Sequence, residues 1–309
     1  MTAGPRITVI ATSLLLFCMC ASALLVHRID GIRHHATLDE VLYIPSPKVL
    51  KRLSLGYSGL MADVYWTRAV QYFGYRHYAG AQDYPLLAPL LTIATALDPH
   101  LTVAYEFGAN FLAPKPPNGA GLPEKAVQLA EYGIRNNPQE WRLYYDLGFI
   151  DYMELKDYGK ASQAFAEGAT VPGAHPWLKL MAALMAEHAG EIKTARLLWT
   201  TTYQTSQDPD VRANAVAHLR ALQVDEDVTN LEKLVSQYRE TNGQFPKSFA
   251  DLEAARMLHQ TPVDPLGHSY KLTPEGQVEV REPDALPFIA KGIPHGYVPP
   301  AKPKFLPND

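Results

Sequence analysis

The side chains best able to carry out chemistry are sparse in this sequence and poorly spaced for it. Both cysteines, Cys18 and Cys20, sit inside an apolar run, so everything after Ala21 lacks the thiols for a disulfide or a thiolate metal site. His34 and His35 could touch a metal or a lipid headgroup, but two adjacent imidazoles without further ligands do not fill a coordination sphere, and a solvated loop is the simpler reading. Asp225, Glu226 and Asp227 read as a solvated turn between helices. Gly119-Ala120-Gly121 precedes Pro123-Glu124-Lys125 without the spacing of a phosphate-cradling loop, and the nucleophile-elbow, zinc-helix and paired-cysteine patterns are missing. No catalytic residue, cofactor or metal is therefore expected, and the chain reads as a non-enzyme.

What is concentrated is aromatic surface. Twelve of the seventeen tyrosines fall between Tyr57 and Tyr158. Their chemistry is contact, a broad apolar ring with a polar tip. A net charge of −4 argues against nucleic acid as the partner. With 309 residues, 47% of them hydrophobic, the chain can bury a core as one extended domain or two compact ones.

These residues need elements to position them, and the first element is apolar. From Ile7 to Val26 twenty residues pass without a charge, which as a helix spans about 30 Å, one hydrocarbon thickness. Ala21-Ser22-Ala23 has the small-x-small form of a cleaved signal peptide, while the unbroken continuation Leu24-Leu25-Val26 favours a membrane anchor. Arg6 on one side and Arg28 and Arg33 on the other leave the positive-inside rule nearly silent. The very short N-terminal arm favours an N-in orientation, with the rest of the chain outside the cytoplasm.

Beyond Pro45 the punctuation is regular. Helix-length segments end at Asp98-Pro99, Asn137-Pro138, Val171-Pro172 and Asp208-Pro209, spaced by 39, 34 and 37 residues. That is the range of stacked helical hairpins, and proline suits such joints because it cannot continue one helix but fits the first turn of the next. Small residues recur where two helices must approach: Ala126, Ala130 and Gly133, then Ala161, Phe165 and Gly168, then Ala195 and Trp199. Phe73-Gly74, Phe107-Gly108 with Phe111, and Leu147-Gly148 with Tyr152 mark the first helix of each pair.

This pattern resembles the tetratricopeptide repeat over roughly residues 60 to 209. The clearest unit runs from Trp141 to Pro172, with Tyr144, Leu147, Gly148, Ala161, Phe165 and Gly168 in place. It departs from the family in an insertion from Leu112 to Gly121 and in Ala182-Ala183 where Leu-Gly is usual. The alternative is a non-repeating helical bundle. The resemblance implies a concave groove that holds a protein or peptide partner, lined here by Arg68, Gln71, Tyr75, Tyr105, Arg142, Tyr145 and Phe149. Aromatics and arginine suit such a ligand through contact area, cation–π contacts and carboxylate pairing, although core packing accounts for several of the tyrosines equally well.

Outside the repeats, helices are expected from Pro47 to near Gly56, from Ser58 to about Tyr78, from Pro209 to Ala221, and from Asp227 to Thr241 before Asn242-Gly243. Short alternating strands at Tyr270–Leu272 and Gln277–Val280 flank the turn Thr273-Pro274-Glu275-Gly276. The series Gly243-Gln244-Phe245-Pro246, Leu252, Pro262 to Gly267, Tyr270 and Val278 resembles the C-terminal part of the major pseudopilins of type II secretion systems. Some of those bind calcium in this region. Asp264 is the one acid in the Asp-Pro motif here, too few oxygens for that ion, so a structural turn is expected. Seven prolines in the 27 residues from Pro283 describe an extended tail that is loose or strapped along the surface.

The expected fold is all-α: an N-terminal transmembrane helix, a tetratricopeptide-like α-solenoid and a small C-terminal module of helix plus β-hairpin. The domains are residues 1–35 (anchor and juxtamembrane segment), 36–225 (helical repeats), 226–282 (pseudopilin-like module) and 283–309 (proline-rich tail). The expected function is a single-pass scaffold for protein–protein interaction, held in a bacterial inner membrane by residues 7–26 and serving a secretion, pilus or other envelope assembly. The alternative is a structural subunit of a larger membrane complex with no free groove.

Overall fold

Proline and carboxylate caps set the helix starts. In the computed structural model, which describes residues 13–25, 28 and 46–298, Pro47, Pro123 and Pro209 each open a helix. The Asp208 carboxylate accepts from the Asp210 and Val211 N–H groups at 2.9 and 3.5 Å, and Asp157 accepts from Lys160 N–H at 3.1 Å. These are the donors that a helix start otherwise leaves unmet. All four expected proline joints fall between helices.

The protein is predominantly helical and divides into two compact units, Met1–Lys125 and Ala126–Asp309. In the first, α1 (Pro47–Leu53), α2 (Ser58–Tyr78) and α4 (Thr102–Leu112) surround α3 (Leu87–Leu97). Helix α3 is apolar on nearly every side, with Leu87, Leu90, Leu91, Ile93 and Leu97 buried. Helix α2 meets it with Ala62, Tyr65, Ala69, Tyr72 and Phe73, a stripe at three- and four-residue spacing. The insertion after Leu112 is a folded loop whose Pro117 carbonyl accepts from the Tyr84 hydroxyl at 3.2 Å.

Helix α5 (Pro123–Asn136) carries the boundary between the units in its first turn. In the second unit α6 (Trp141–Phe149), α7 (Tyr158–Gly168), α8 (Trp177–His188), α9 (Ile192–Thr205) and α10 (Pro209–Asn242) each pack against the next. The small residues singled out from the sequence make these approaches possible. A Cβ on Gly148 would lie 2.6 Å from the Phe165 ring, and one on Gly168 would lie 2.7 Å from Leu178 and Tyr144. Ala161, Phe165, Ala182 and Ala183 are fully buried, and the Ser162 hydroxyl donates to the Ala182 carbonyl at 2.8 Å. Ala182-Ala183 thus lies in the core where α8 meets its neighbours. Gly74 is different, for nothing lies within 4 Å of its Cβ position.

One expectation is corrected at α10: it is one helix of 34 residues rather than two, and it runs unbroken across residues 225 and 226. No glycine or proline interrupts this stretch, and the apolar series Leu222, Val224, Val228, Leu231 and Val235 stays buried throughout. The acidic residues in its middle hold contacts rather than forming a solvated turn, as described below. The helix stops where expected, at Gly243, whose φ of 75° suits the left-handed position after a helix.

The C-terminal module packs on the second half of α10. Phe249 and Leu252 of α11 (Phe249–Ala254) join Tyr270, Val278, Val280 and Leu286 in one core with Val228, Leu231 and Val235. Strands β1 (Lys271–Leu272) and β2 (Val278–Glu279) pair antiparallel with Leu272 opposite Val278, around the anticipated turn. Over the described residues 283–298 the chain straps back along α10, while positions 299–309 of the expected tail lie outside the described residues. Asp225 accepts from the Ala290 and Lys291 N–H groups at 2.9 and 2.8 Å, and Val280 N–H donates to the Gly292 carbonyl at 2.8 Å.

Residues 13–25 are helical. Positions 7–12 and 26 of the apolar run, and His34 and His35, lie outside the described residues. Among the described residues no helix is long and apolar enough to cross a membrane.

The two glycines make opposite expectations. Gly148→Ala should destabilise the protein by about 1–3 kcal/mol through overpacking against Phe165, whereas Gly74→Ala should be neutral or stabilising by up to about 1 kcal/mol through helix propensity. Thermal unfolding of both variants followed by circular dichroism checks this; equal behaviour would contradict the close approach.

Candidate functional site

Three of the seven expected groove residues come together in the second unit. Helix α6 places Trp141, Tyr145 and Phe149 at four-residue intervals and hence on one face. Trp177, at the start of α8, lies flat against Phe149, with ring centroids 5.8 Å apart and planes 8° from parallel. Tyr145 bridges the set at 4.6 Å from Phe149 and 6.0 Å from Trp177. Beneath them Phe165 is fully buried, meeting Phe149 edge-on at 5.5 Å. The upper surface stays open: Trp177 keeps 37% of its area exposed. The Arg142 guanidinium stands 4.8 Å from the Trp141 ring, with Nη1 3.2 Å from the Glu140 carboxylate. The result is an aromatic shelf with one cation at its edge, paired to a carboxylate and able to offer ring contact and cation–π attraction.

Trp177 was not among the expected residues. Its signal was present in the sequence, since it follows the Pro172 joint as Trp141 follows Pro138, each opening the first helix of its pair.

The other four lie in the first unit. Arg68, Gln71 and Tyr75 are exposed along α2, and the Arg68 guanidinium sits 5.4 Å from the Tyr65 ring. Tyr105 is only 1% exposed, and its hydroxyl donates to the Pro99 carbonyl at 3.1 Å. It is a core residue that offers no surface to a ligand.

The buried titratable groups serve packing. The Glu187 carboxylate accepts from the Trp199 indole at 2.6 Å and pairs with His218 Nδ1 at 3.0 Å. The His218 ring lies between Trp199 and Phe288, at 4.1 and 4.0 Å and nearly parallel to both. Phe288 thereby closes this cluster from the strap. Asp225 has its carboxyl pushed up by burial, partly offset by the two backbone N–H groups of the strap. Asp227 accepts from the Tyr270 hydroxyl at 3.1 Å and from Gln223 at 2.8 Å, and Glu226 pairs with Arg196 at 2.7 Å. Asp264 Oδ1 accepts from the Leu266 and His268 N–H groups at 2.8 and 2.9 Å, the geometry of a structural turn. Among the described residues no set of three or more His, Cys, Asp or Glu is placed to hold a metal ion.

Asp151 lies in the π-helical turn Ile150–Leu155 that follows α6. It is buried, Oδ1 has no hydrogen-bond partner, and its pKa is pushed up to about 6, chiefly by burial and then by Asp157. Compared with known proteins, the chain matches no family model and no curated sequence.

The sign of the Asp151 effect is set by its raised pKa. Between about pH 4 and 6 the folded protein holds a proton that the unfolded chain releases, so stability falls as pH rises through that window. After discounting for residual hydration the loss is about 1–2 kcal/mol. Asp151→Asn should remove this component, so that its unfolding temperature exceeds that of the parent protein at pH 7.5 but not at pH 4. Parallel slopes for the two proteins would rule the assignment out.

Proposed function

We propose that this chain is a membrane-anchored helical-repeat scaffold of the tetratricopeptide kind that engages a protein segment in a bacterial envelope assembly, of the secretion or pilus type. Residues 7–26 hold it in the inner membrane in this reading, and the folded part stands outside the cytoplasm. The helices from α6 to α10, each packed on its neighbour through small residues, support a repeat stack. The observation that carries the function is the open shelf of Trp141, Tyr145, Phe149 and Trp177. Phe165 beneath it is fully buried while Trp177 is exposed and Trp141, Tyr145 and Phe149 are half-buried, and aromatic surface of this kind dominates protein recognition when covered.

Photocrosslinking tests it. A photoreactive residue at Arg142, which is exposed, should give a discrete protein adduct in native membranes, and Trp177→Ala should reduce that adduct about tenfold or more. An undiminished adduct in Trp177→Ala, together with a stoichiometric complex that survives mild detergent, would favour the alternative of a structural subunit. The absence of any adduct at all would refute the groove.

A further inference from the structure

The first unit carries a feature that the scaffold reading leaves unused. Helix α1 is held to the fold by one buried side chain, Leu50, and the turn that follows points its apolar residues into solvent. Leu53, Leu55 and Leu60 are 69%, 86% and 62% exposed, with Val49 and Tyr57 exposed beside them. The turn is not loosely made. Ser54 N–H donates to the Leu50 carbonyl and Tyr57 N–H to the Ser54 carbonyl, both at 2.8 Å, and the Ser54 hydroxyl donates to the Lys51 carbonyl at 2.9 Å.

Leu55 has a φ of 48°, a left-handed conformation normally left to glycine or asparagine. A leucine there is strained, and in water it gains nothing in return because it touches almost nothing. Gly56 follows with a φ of 96°, so the chain had glycine available at the adjacent position. The conformation instead leaves Leu55 the most exposed of these side chains.

Charge completes the pattern. Lys48, Lys51 and Arg52 flank the exposed leucines, and no Asp or Glu occurs from Ser46 to Ala62. None of the three cations makes an ion pair among the described residues. Protruding leucines, an aromatic residue and cations without an ion-pair partner among the described residues match the layering of a bilayer surface, with acyl chains below and anionic headgroups at the rim.

We infer that residues 48–60 form a hook that inserts its leucines into an anionic lipid surface while Lys48, Lys51 and Arg52 contact the headgroups. The inference rests on the reading of residues 7–26 as a membrane anchor for its proximity argument. Nineteen residues separate Val26 from Ser46, a length that reaches at most about 65 Å. A tether of that length raises the local concentration of the hook at the bilayer, so a weak contact suffices. The occupied hook would fix how the first unit faces the membrane.

The test uses the full chain with Cys18→Ala and Cys20→Ala, carrying a nitroxide label at Leu55→Cys, Leu60→Cys, Leu15→Cys or, as an aqueous control, Gly190→Cys. The proteins are reconstituted in vesicles of phosphatidylcholine alone or with equal parts phosphatidylglycerol, and collisions with oxygen are compared with those of a water-soluble nickel chelate. At 55 and 60 the oxygen-to-nickel ratio should exceed the control several-fold in anionic vesicles, and should fall back toward it in neutral ones or with K48E/K51E/R52E. Ratios equal to the control in both vesicle types overturn the hook, and so does shielding from both probes, which would indicate a protein contact. The label at 15 reports on the anchor separately: an aqueous 15 with immersed 55 and 60 defeats the anchor and leaves the hook as an autonomous lipid contact.

Discussion

Helices approach no closer than their side chains permit, and the second unit depends on two places where a side chain is missing. At Gly148 the Phe165 ring occupies the space a Cβ would need, and at Gly168 Leu178 and Tyr144 do the same. The first contact seats Phe165 fully inside the fold, and Phe165 in turn supports Phe149 and Tyr145 from below. The second brings the start of α8 toward α6, so that Trp177 reaches Phe149. The open shelf is therefore a product of backbone proximity one layer down. A larger residue at either glycine would separate the helices that the shelf needs together.

Polar groups inside the fold act as fasteners between elements. Glu187 links α8 to Trp199 of α9 and His218 of α10. Asp225 and Asp227 tie α10 to the strap and to Tyr270. Each such carboxylate is costly to bury and recovers the cost through specific donors, which makes these contacts selective for one arrangement of the elements. Asp151 departs from this, since its Oδ1 finds no donor and burial raises its proton affinity.

What the sequence made legible was local and repetitive. The proline joints, the limits of Ser58–Tyr78, the stop at Gly243 and the hairpin turn at Thr273–Gly276 all depend on backbone rules that act within a few residues. Gly148, Gly168, Ala161 and Phe165 were readable because close packing demands small and large residues at fixed spacing. The failures have a common cause in tertiary context. Gly74 follows a large apolar residue, Phe73, as Gly148 follows Leu147, but it faces open space. Tyr105 shares its spacing with surface aromatics and turns inward to Pro99. Asp225, Glu226 and Asp227 looked like solvated residues because their partners, Lys291, Arg196 and Tyr270, are distant in the chain. The sequence leaves the strap as one of two options, and contacts distant in the chain, such as Phe288 meeting His218 and the bonds to Asp225, distinguish them.

Helix α10 is about 50 Å long at 1.5 Å per residue, and it belongs to two cores at once. Its first half lies with α9 around Trp199, and its second half carries the hairpin module. With no glycine or proline between the two halves, there is no natural hinge at which the module can swing. A torque applied to the hairpin is delivered along a stiff lever to the Trp199 cluster, so the module and the last helices of the unit move as one mechanical piece.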